Sequence, residues 1–359
     1  MRITRLNYTA IISVVLIIAT QSCAIKKDKK EFSVGFKVFD AVRSGPDYYR
    51  DSIRQKGRPV NLRTWYPITK TTDPPILYRE YLELLDAEGI GQSISRFRRL
   101  INSFVEIDSV TLNERLSIFL SSSSKVYVNQ PLPESKFPMV ILLGGGPQYH
   151  LELAELLAQN GMVVFSIPRL GSEEGSGLPF NTKGAKLLTD DIKFAIESAS
   201  QFPFVNNNKI SVIGWSYEGV PMINASRDSE GVQSVISLDA SIGYQYGRSL
   251  MLDSVYFEKT PLKFQVLHFT GPGMSYGKSF DVLNEMANHS EVRVWEIEGM
   301  SHPDFTSISS VLIPQHFMHS PVNENYYKLM IFILKSLDIN TGVNQSLTSD
   351  SLFTEVILN

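Results

Sequence analysis

A single cysteine in 359 residues leaves no internal disulfide available, so packing has to hold this fold together. An excess of one charge sign is also missing. Lysine and arginine number 34 against 37 aspartates and glutamates, a formal net charge of -3, which offers no basic field for nucleic acid. Long apolar runs are scarce too. The one that stands out, Ala10–Ala19, is too short to span a bilayer, which takes about 20 apolar residues. No internal repeat is visible. What remains is ordinary globular composition, 43% hydrophobic and 20% charged, in a length that suits one large domain or two modest ones.

The apolar run has a local meaning. Arg2 and Arg5 precede it, and small or polar residues follow it as far as Cys23. This is the layout of an export signal over residues 1–22. Ala19-Thr20-Gln21-Ser22-Cys23 resembles a lipobox, so the preferred reading is lipidation of Cys23 and residence in a bacterial cell envelope as a lipoprotein. A plain secretory peptide cleaved nearby and an uncleaved anchor are the alternatives. Lys26–Lys30 then lies in a solvated tether, residues 23–32, ahead of a domain expected over 33–338 and a polar tail over 339–359.

Eight strand-like runs follow the tether: Ser33–Phe39, Val60–Tyr66 (stopped by Pro67), Met139–Leu143, Met162–Ile167, Ile210–Ile213, Val232–Leu238, Leu262–Phe269 and Glu291–Ile297. From the third onward they are short and mostly apolar, as strands covered on both faces are. Helical patterns lie between them at 151–160, 183–201, 217–227 and 279–289, and a last one at 323–337 closes the domain. That alternation predicts an α/β fold with a mostly parallel, doubly wound sheet. The stretch of about 75–131 breaks the rhythm with helical character after the second strand. Leu82, Leu84 and Leu85 with Phe97, Leu100, Ile101 and Phe104 suit an amphipathic pair, either a packing elaboration or a lid.

The most informative segment is Gly214-Trp215-Ser216-Tyr217-Glu218-Gly219, which follows the fifth strand. A serine on a sharp strand-to-helix turn exposes its hydroxyl beside a helix N-terminus, which favours an oxyanion. A serine hydroxyl needs a base, and the base needs a carboxylate to fix its tautomer. In open α/β sheets both are expected where strands end. Asp239 directly follows the sixth strand and His302 follows the eighth. The third strand ends in Gly144-Gly145-Gly146-Pro147, a loop whose backbone N–H groups face a substrate oxygen without side-chain bulk. The loop after the seventh strand holds no carboxylate before Asp281, which reads as a helix start. Among the other histidines, His268 reads as core, His289 as a turn residue, and His316 and His319 as surface because no third metal ligand is near. His150 begins a helix beside the glycine loop and is a pocket candidate with Trp215 and Glu218.

Gly57-Arg58-Pro59-Val60 to Pro67, the glycine loop, Gly214-Trp215-Ser216, Leu238-Asp239 and Ser301-His302-Pro303-Asp304-Phe305 together resemble the α/β-hydrolases of the dienelactone hydrolase and platelet-activating-factor acetylhydrolase-like group, over roughly residues 35–335. The resemblance implies the α/β-hydrolase fold and Ser216 as nucleophile, Asp239 as orienting acid and His302 as base. It also implies oxyanion donors from the Tyr217 N–H and from Gly145 or Gly146. The expected substrate is a small-molecule ester of small or medium acyl length, with no cofactor, no metal and no nucleic acid, and the lipid anchor as the membrane link. Two positions depart from the pattern: Leu143-Gly144 replaces a His-Gly opening, and Glu218 replaces a glycine. Gly214-Trp215-Ser216-Tyr217 is also similar to the elbow of prolyl-oligopeptidase-type peptidases, which carry a propeller for which this chain has no room. A peptidase and a non-catalytic binding protein of the same fold are the alternatives.

Overall fold

In a computed structural model of the chain, the described residues are 31–359 apart from 46–47, 51–52, 87–92, 105–106, 174–175, 253–260, 273–276, 309–320, 338–351 and 359. The chain divides into a first unit, Met1–Glu31, and a body, Phe32–Asn359. The export-signal reading, Cys23 and the His316/His319 pair lie outside the described residues.

Among the described residues the body has one large sheet and two further sheets of two short strands each. The strands of the large sheet are β1 (Ser33–Phe39), β2 (Leu62–Ile68), β3 (Val126–Val128), β4 (Phe137–Leu143), β5 (Val163–Ser166), β6 (Val205–Trp215), β7 (Val232–Leu238), β8 (Gln265–Thr270), β9 (Val292–Ile297) and β10 (Phe353–Val356). Their spatial order is β10-β9-β8-β7-β6-β4-β5-β2-β1-β3. β4 to β9 run parallel, while β2 and β10 run antiparallel to their neighbours. The expectation of an eight-stranded sheet is therefore corrected to ten strands among the described residues. β3 and β10 are edge strands of three and four residues, paired on one side only, and too short to leave an apolar run.

Pro67 does not stop β2, which continues to Ile68. Pairing of β2 with β5 ends at Trp65, whereas pairing with β1 runs on to Ser33↔Ile68. A proline past the end of one ladder removes no hydrogen bond from it.

The parallel strands alternate between two cores, one on each face of the sheet. Val140 and Leu142 of β4 join one, and Met139, Ile141 and Leu143 join the other. Among the described residues the 75–131 insertion holds the helices α1 (Tyr78–Leu84), α2 (Ser93–Phe104) and α3 (Ser109–Ser121) where the sequence suggested a pair. Leu82, Leu85, Phe97 and Ile101 are fully buried, while Leu84 is 42% exposed. The buried ones belong to the same core as Trp65, Leu142 and Trp215, so the insertion packs as part of that face. Asp108 caps α3, its Oδ1 accepting from the N–H groups of Val110 and Thr111 at 3.0 and 2.9 Å.

The other α-helices among the described residues are α4 (Leu151–Gln159), α5 (Thr182–Ala199), α6 (Gly219–Arg227), α7 (Gln245–Leu252), α8 (Asp281–Ala287) and α9 (Pro321–Leu337). Asp281 thus opens a helix, as its position suggested. Arg58 ties distant parts of the body together. Its Nε donates to Asp191 Oδ2 of α5 at 2.8 Å, and its two Nη groups donate to the carbonyls of Leu170 and Gly171. Arg43 Nε donates to the other Asp191 oxygen at 2.9 Å.

Candidate active site

β6 delivers Trp215 and then turns. Ser216 follows at φ 62°, outside the region an ordinary residue prefers, and a short 3₁₀ turn, Ser216–Glu218, leads into α6. Two close approaches make this turn possible. A Cβ on Gly214 would meet Met222 Sδ at 2.6 Å, and one on Gly219 would meet the Ser241 backbone N at 2.8 Å. These two glycines let α6 cross the sheet, so the glycine missing at 218 is not needed for that contact. The Tyr217 N–H stands in the first turn, where no preceding carbonyl is in place to receive it.

Asp239 leaves β7 at φ 44°, its N–H donating to the Phe269 carbonyl at 2.6 Å. His302 opens the 3₁₀ turn after β9. The three side chains meet. Asp239 Oδ2 lies 2.7 Å from His302 Nδ1, and His302 Nε2 lies 2.9 Å from Ser216 Oγ. The carboxylate on Nδ1 holds the imidazole proton there and leaves Nε2 as the acceptor for the serine hydroxyl.

Partners that the sequence did not disclose hold this chain of bonds in register. Tyr244 Oη and Thr270 Oγ1 donate to Asp239 Oδ1 at 2.6 and 2.8 Å. Burial pushes the Asp239 carboxyl up, but the hydrogen bond and charge of His302, then the two hydroxyls, outweigh it and hold the group below its ordinary value. Trp215 stacks on the His302 ring at 4.5 Å between centroids, and its Nε1 donates to the His302 carbonyl at 2.9 Å. Trp215 is therefore a floor beneath the imidazole. Thr270, at the end of β8, carries one legible signal: it stands at a strand end, on the sheet edge where partners of the serine are expected.

The glycine loop sits opposite the serine turn. Gly145 has φ 66°, which only glycine adopts freely, and a Cβ there would press on the Tyr149 ring at 3.0 Å. The Gly145 N–H, expected to face a substrate oxygen, donates instead to Glu218 Oε1 at 3.0 Å. Glu218 is 2% exposed, and Arg169 Nη1 lies 3.7 Å from the same oxygen. The Arg169 guanidinium lies over the rings of both Phe180 and Tyr217, 4.2 and 5.0 Å from their centroids. Burial, then the Glu218 charge, push the Tyr149 hydroxyl up to about 12, with Arg169 opposing. His150 lies beneath this loop, not on an open pocket wall: it is 1% exposed, and burial lowers its pKa to about 3. His268 is buried in β8 with Nδ1 2.7 Å from Ser237 Oγ. Among the described residues no cluster of histidine, cysteine, aspartate or glutamate has the makings of a metal site, and no helix is long and apolar enough to cross a membrane.

No family model matches the chain. An uncharacterised protein of Pseudomonas aeruginosa is 26% identical over 143 residues, a match covering 38% of either protein. Among solved structures, a ferulic acid esterase from Streptomyces cinnamoneus superposes with a TM-score of 0.57 at 12% identity, covering 88% of this chain and 91% of that one. The chain has the α/β-hydrolase fold. An acylaminoacyl peptidase of Pyrococcus horikoshii matches at a TM-score of 0.46 and 12% identity, covering 93% of this chain but 44% of that one. In this α/β-hydrolase fold, the Ser216 turn, Asp239 and His302 all leave the carboxyl ends of parallel strands, the edge where such sheets bind ligands.

Proposed function

We propose that the protein is a serine hydrolase acting on carboxylic esters of small or medium acyl groups. The observation that supports it is the unbroken bond sequence Asp239–His302–Ser216 at 2.7 and 2.9 Å. In this reading His302 Nε2 takes the Ser216 proton as Oγ attacks the ester carbonyl. The tetrahedral oxyanion is held by the Tyr217 N–H and the glycine loop, each donor lowering the barrier by about 3 kcal/mol. Collapse breaks the C–O bond to the alcohol, which leaves with the proton from His302. Water, deprotonated by the same nitrogen, then attacks the acyl-enzyme and the acid departs as Ser216 regains its proton. Asp239 stays ionised throughout and stabilises the imidazolium.

The test is Ser216→Ala. It should lower turnover of p-nitrophenyl butyrate by at least about 10⁴-fold and abolish labelling by a fluorophosphonate, with circular dichroism unchanged. Wild-type protein that is folded yet neither labelled nor active would make it a binding protein of this fold. Faster cleavage of dipeptidyl p-nitroanilides than of esters would make it a peptidase. The acyl panel should include feruloyl esters, given the activity named for the Streptomyces protein.

A further inference from the structure

Glu218 is the one carboxylate that the ester mechanism above leaves unused at its own site, and its position is unfavourable on first inspection. A negative charge beside the place where an oxyanion forms raises the barrier unless something offsets it. The residue is nevertheless buried, and it grips the loop through Gly145. Three consecutive glycines form that loop, and glycine loses more backbone freedom on ordering than any other residue. A loop of this composition needs an external tie if its N–H groups are to stay aimed.

We propose that Glu218 is a positioning residue that latches the oxyanion loop, with Arg169 as the counter-charge that makes the latch tolerable. This rests on the serine esterase reading and refines it. Oε1 accepts the Gly145 N–H at 3.0 Å, a charge-assisted bond of the stronger kind. Arg169 Nη1 stands 3.7 Å from that oxygen, and its guanidinium is fixed by the Phe180 and Tyr217 rings. Arg169 in turn follows β5 in a segment whose next two carbonyls are held by the buried Arg58. With the Gly145 N–H committed to the latch, the donors for the oxyanion are the Tyr217 N–H and the Gly146 N–H. The departure from the glycine pattern at 218 thus replaces a packing residue by a tie to the opposite loop.

The experiment measures kcat and KM for p-nitrophenyl butyrate, and the inhibition constant of an alkyl trifluoromethyl ketone, on purified full-length variants. Glu218→Ala should lower kcat by about ten- to a hundredfold, less than loss of a whole donor, with KM within about threefold. Ketone affinity should weaken in parallel with kcat/KM. Glu218→Gln keeps an acceptor oxygen and should stay within about threefold of wild type. Arg169→Met should lower kcat by leaving the carboxylate uncompensated, and adding Glu218→Gln to it should restore activity. An unchanged kcat in Glu218→Ala overturns the latch, as does an equal loss in the Ala and Gln variants. If Glu218→Ala does not fold, the Arg169→Met pair decides: no recovery in the double variant overturns the counter-charge. A wild type with neither turnover nor fluorophosphonate labelling overturns the esterase reading itself, and the latch with it.

Discussion

Ser216 and Asp239 share an uncommon property: both are non-glycine residues at positive φ, 62° and 44°. Such backbone states cost of order 1–3 kcal/mol each and persist only where surrounding bonds over-determine them. For Asp239 those bonds are visible, since its N–H, Oδ1 and Oδ2 are all engaged. Tyr244 is the most accessible to test. Tyr244→Phe removes a 2.6 Å bond to Oδ1 while leaving the ring, so kcat should fall by about tenfold with KM unchanged, Thr270 retaining its share. A variant with wild-type kcat would leave Tyr244 with packing alone. The contrast with the sequence is instructive here. Ser216, Asp239 and His302 were legible as candidates because each follows a strand, and strand ends can be counted along a chain. Tyr244, Arg169 and Tyr149 acquire their significance from what they touch across the fold. The order of residues does not contain those contacts.

At the level of elements, what could be seen was set by how much each strand must bury. β4 to β8 are covered on both faces and read as apolar runs, whereas β10 pairs with β9 alone and carries the exposed neighbours Thr354 and Glu355. Yet β10 covers the edge of β9, and Phe353 packs against Phe332 of α9 at 4.9 Å between centroids. Truncation after residue 351 should expose that edge and cost roughly 1–3 kcal/mol, about what burying one large side chain contributes. Light scattering at raised concentration checks the exposed edge as increased association, and urea denaturation checks the stability cost. An unshifted urea midpoint would show that β10 is an ornament of the sheet. The insertion teaches the same lesson from the other side. Its leucines and phenylalanines announced helices, but only the fold assigns Leu82, Leu85 and Phe97 to one of the two cores of the sheet.

Three of the buried titratable groups among the described residues have effects on stability that oppose one another. Burial raises the Glu155 pKa from 4.5 to about 8, with Lys125 opposing, and lowers His150 from 6.5 to about 3 and His268 from 6.5 to about 4. Between pH 6.5 and 8 the unfolded chain ionises Glu155 while the folded one keeps it protonated, so stability falls as pH rises, by about 1.4 kcal/mol per unit. Below pH 6.5 the unfolded chain protonates both histidines and the folded one neither, so stability falls as pH drops. There the two histidines exceed the opposing Glu155 slope. Stability should peak near pH 6.5, and Glu155→Gln should remove the alkaline decline, about 1 kcal/mol by pH 8 after the remaining histidine gain, while steepening the acid one. Urea titrations at pH 5, 6.5 and 8 measure this; equal alkaline losses in wild type and variant would contradict it.

The Arg58 network has a consequence for modularity. Arg58 lies ahead of β2, and it reaches 112 and 113 residues along the chain to the carbonyls of Leu170 and Gly171, next to Arg169. The wall that carries the counter-charge for Glu218 is therefore not a possession of the central strands. A fragment beginning after the insertion would retain Ser216, Asp239 and His302, but it would lack the guanidinium that anchors this wall. Any transplant of the serine turn into another scaffold has to bring the early segment with it.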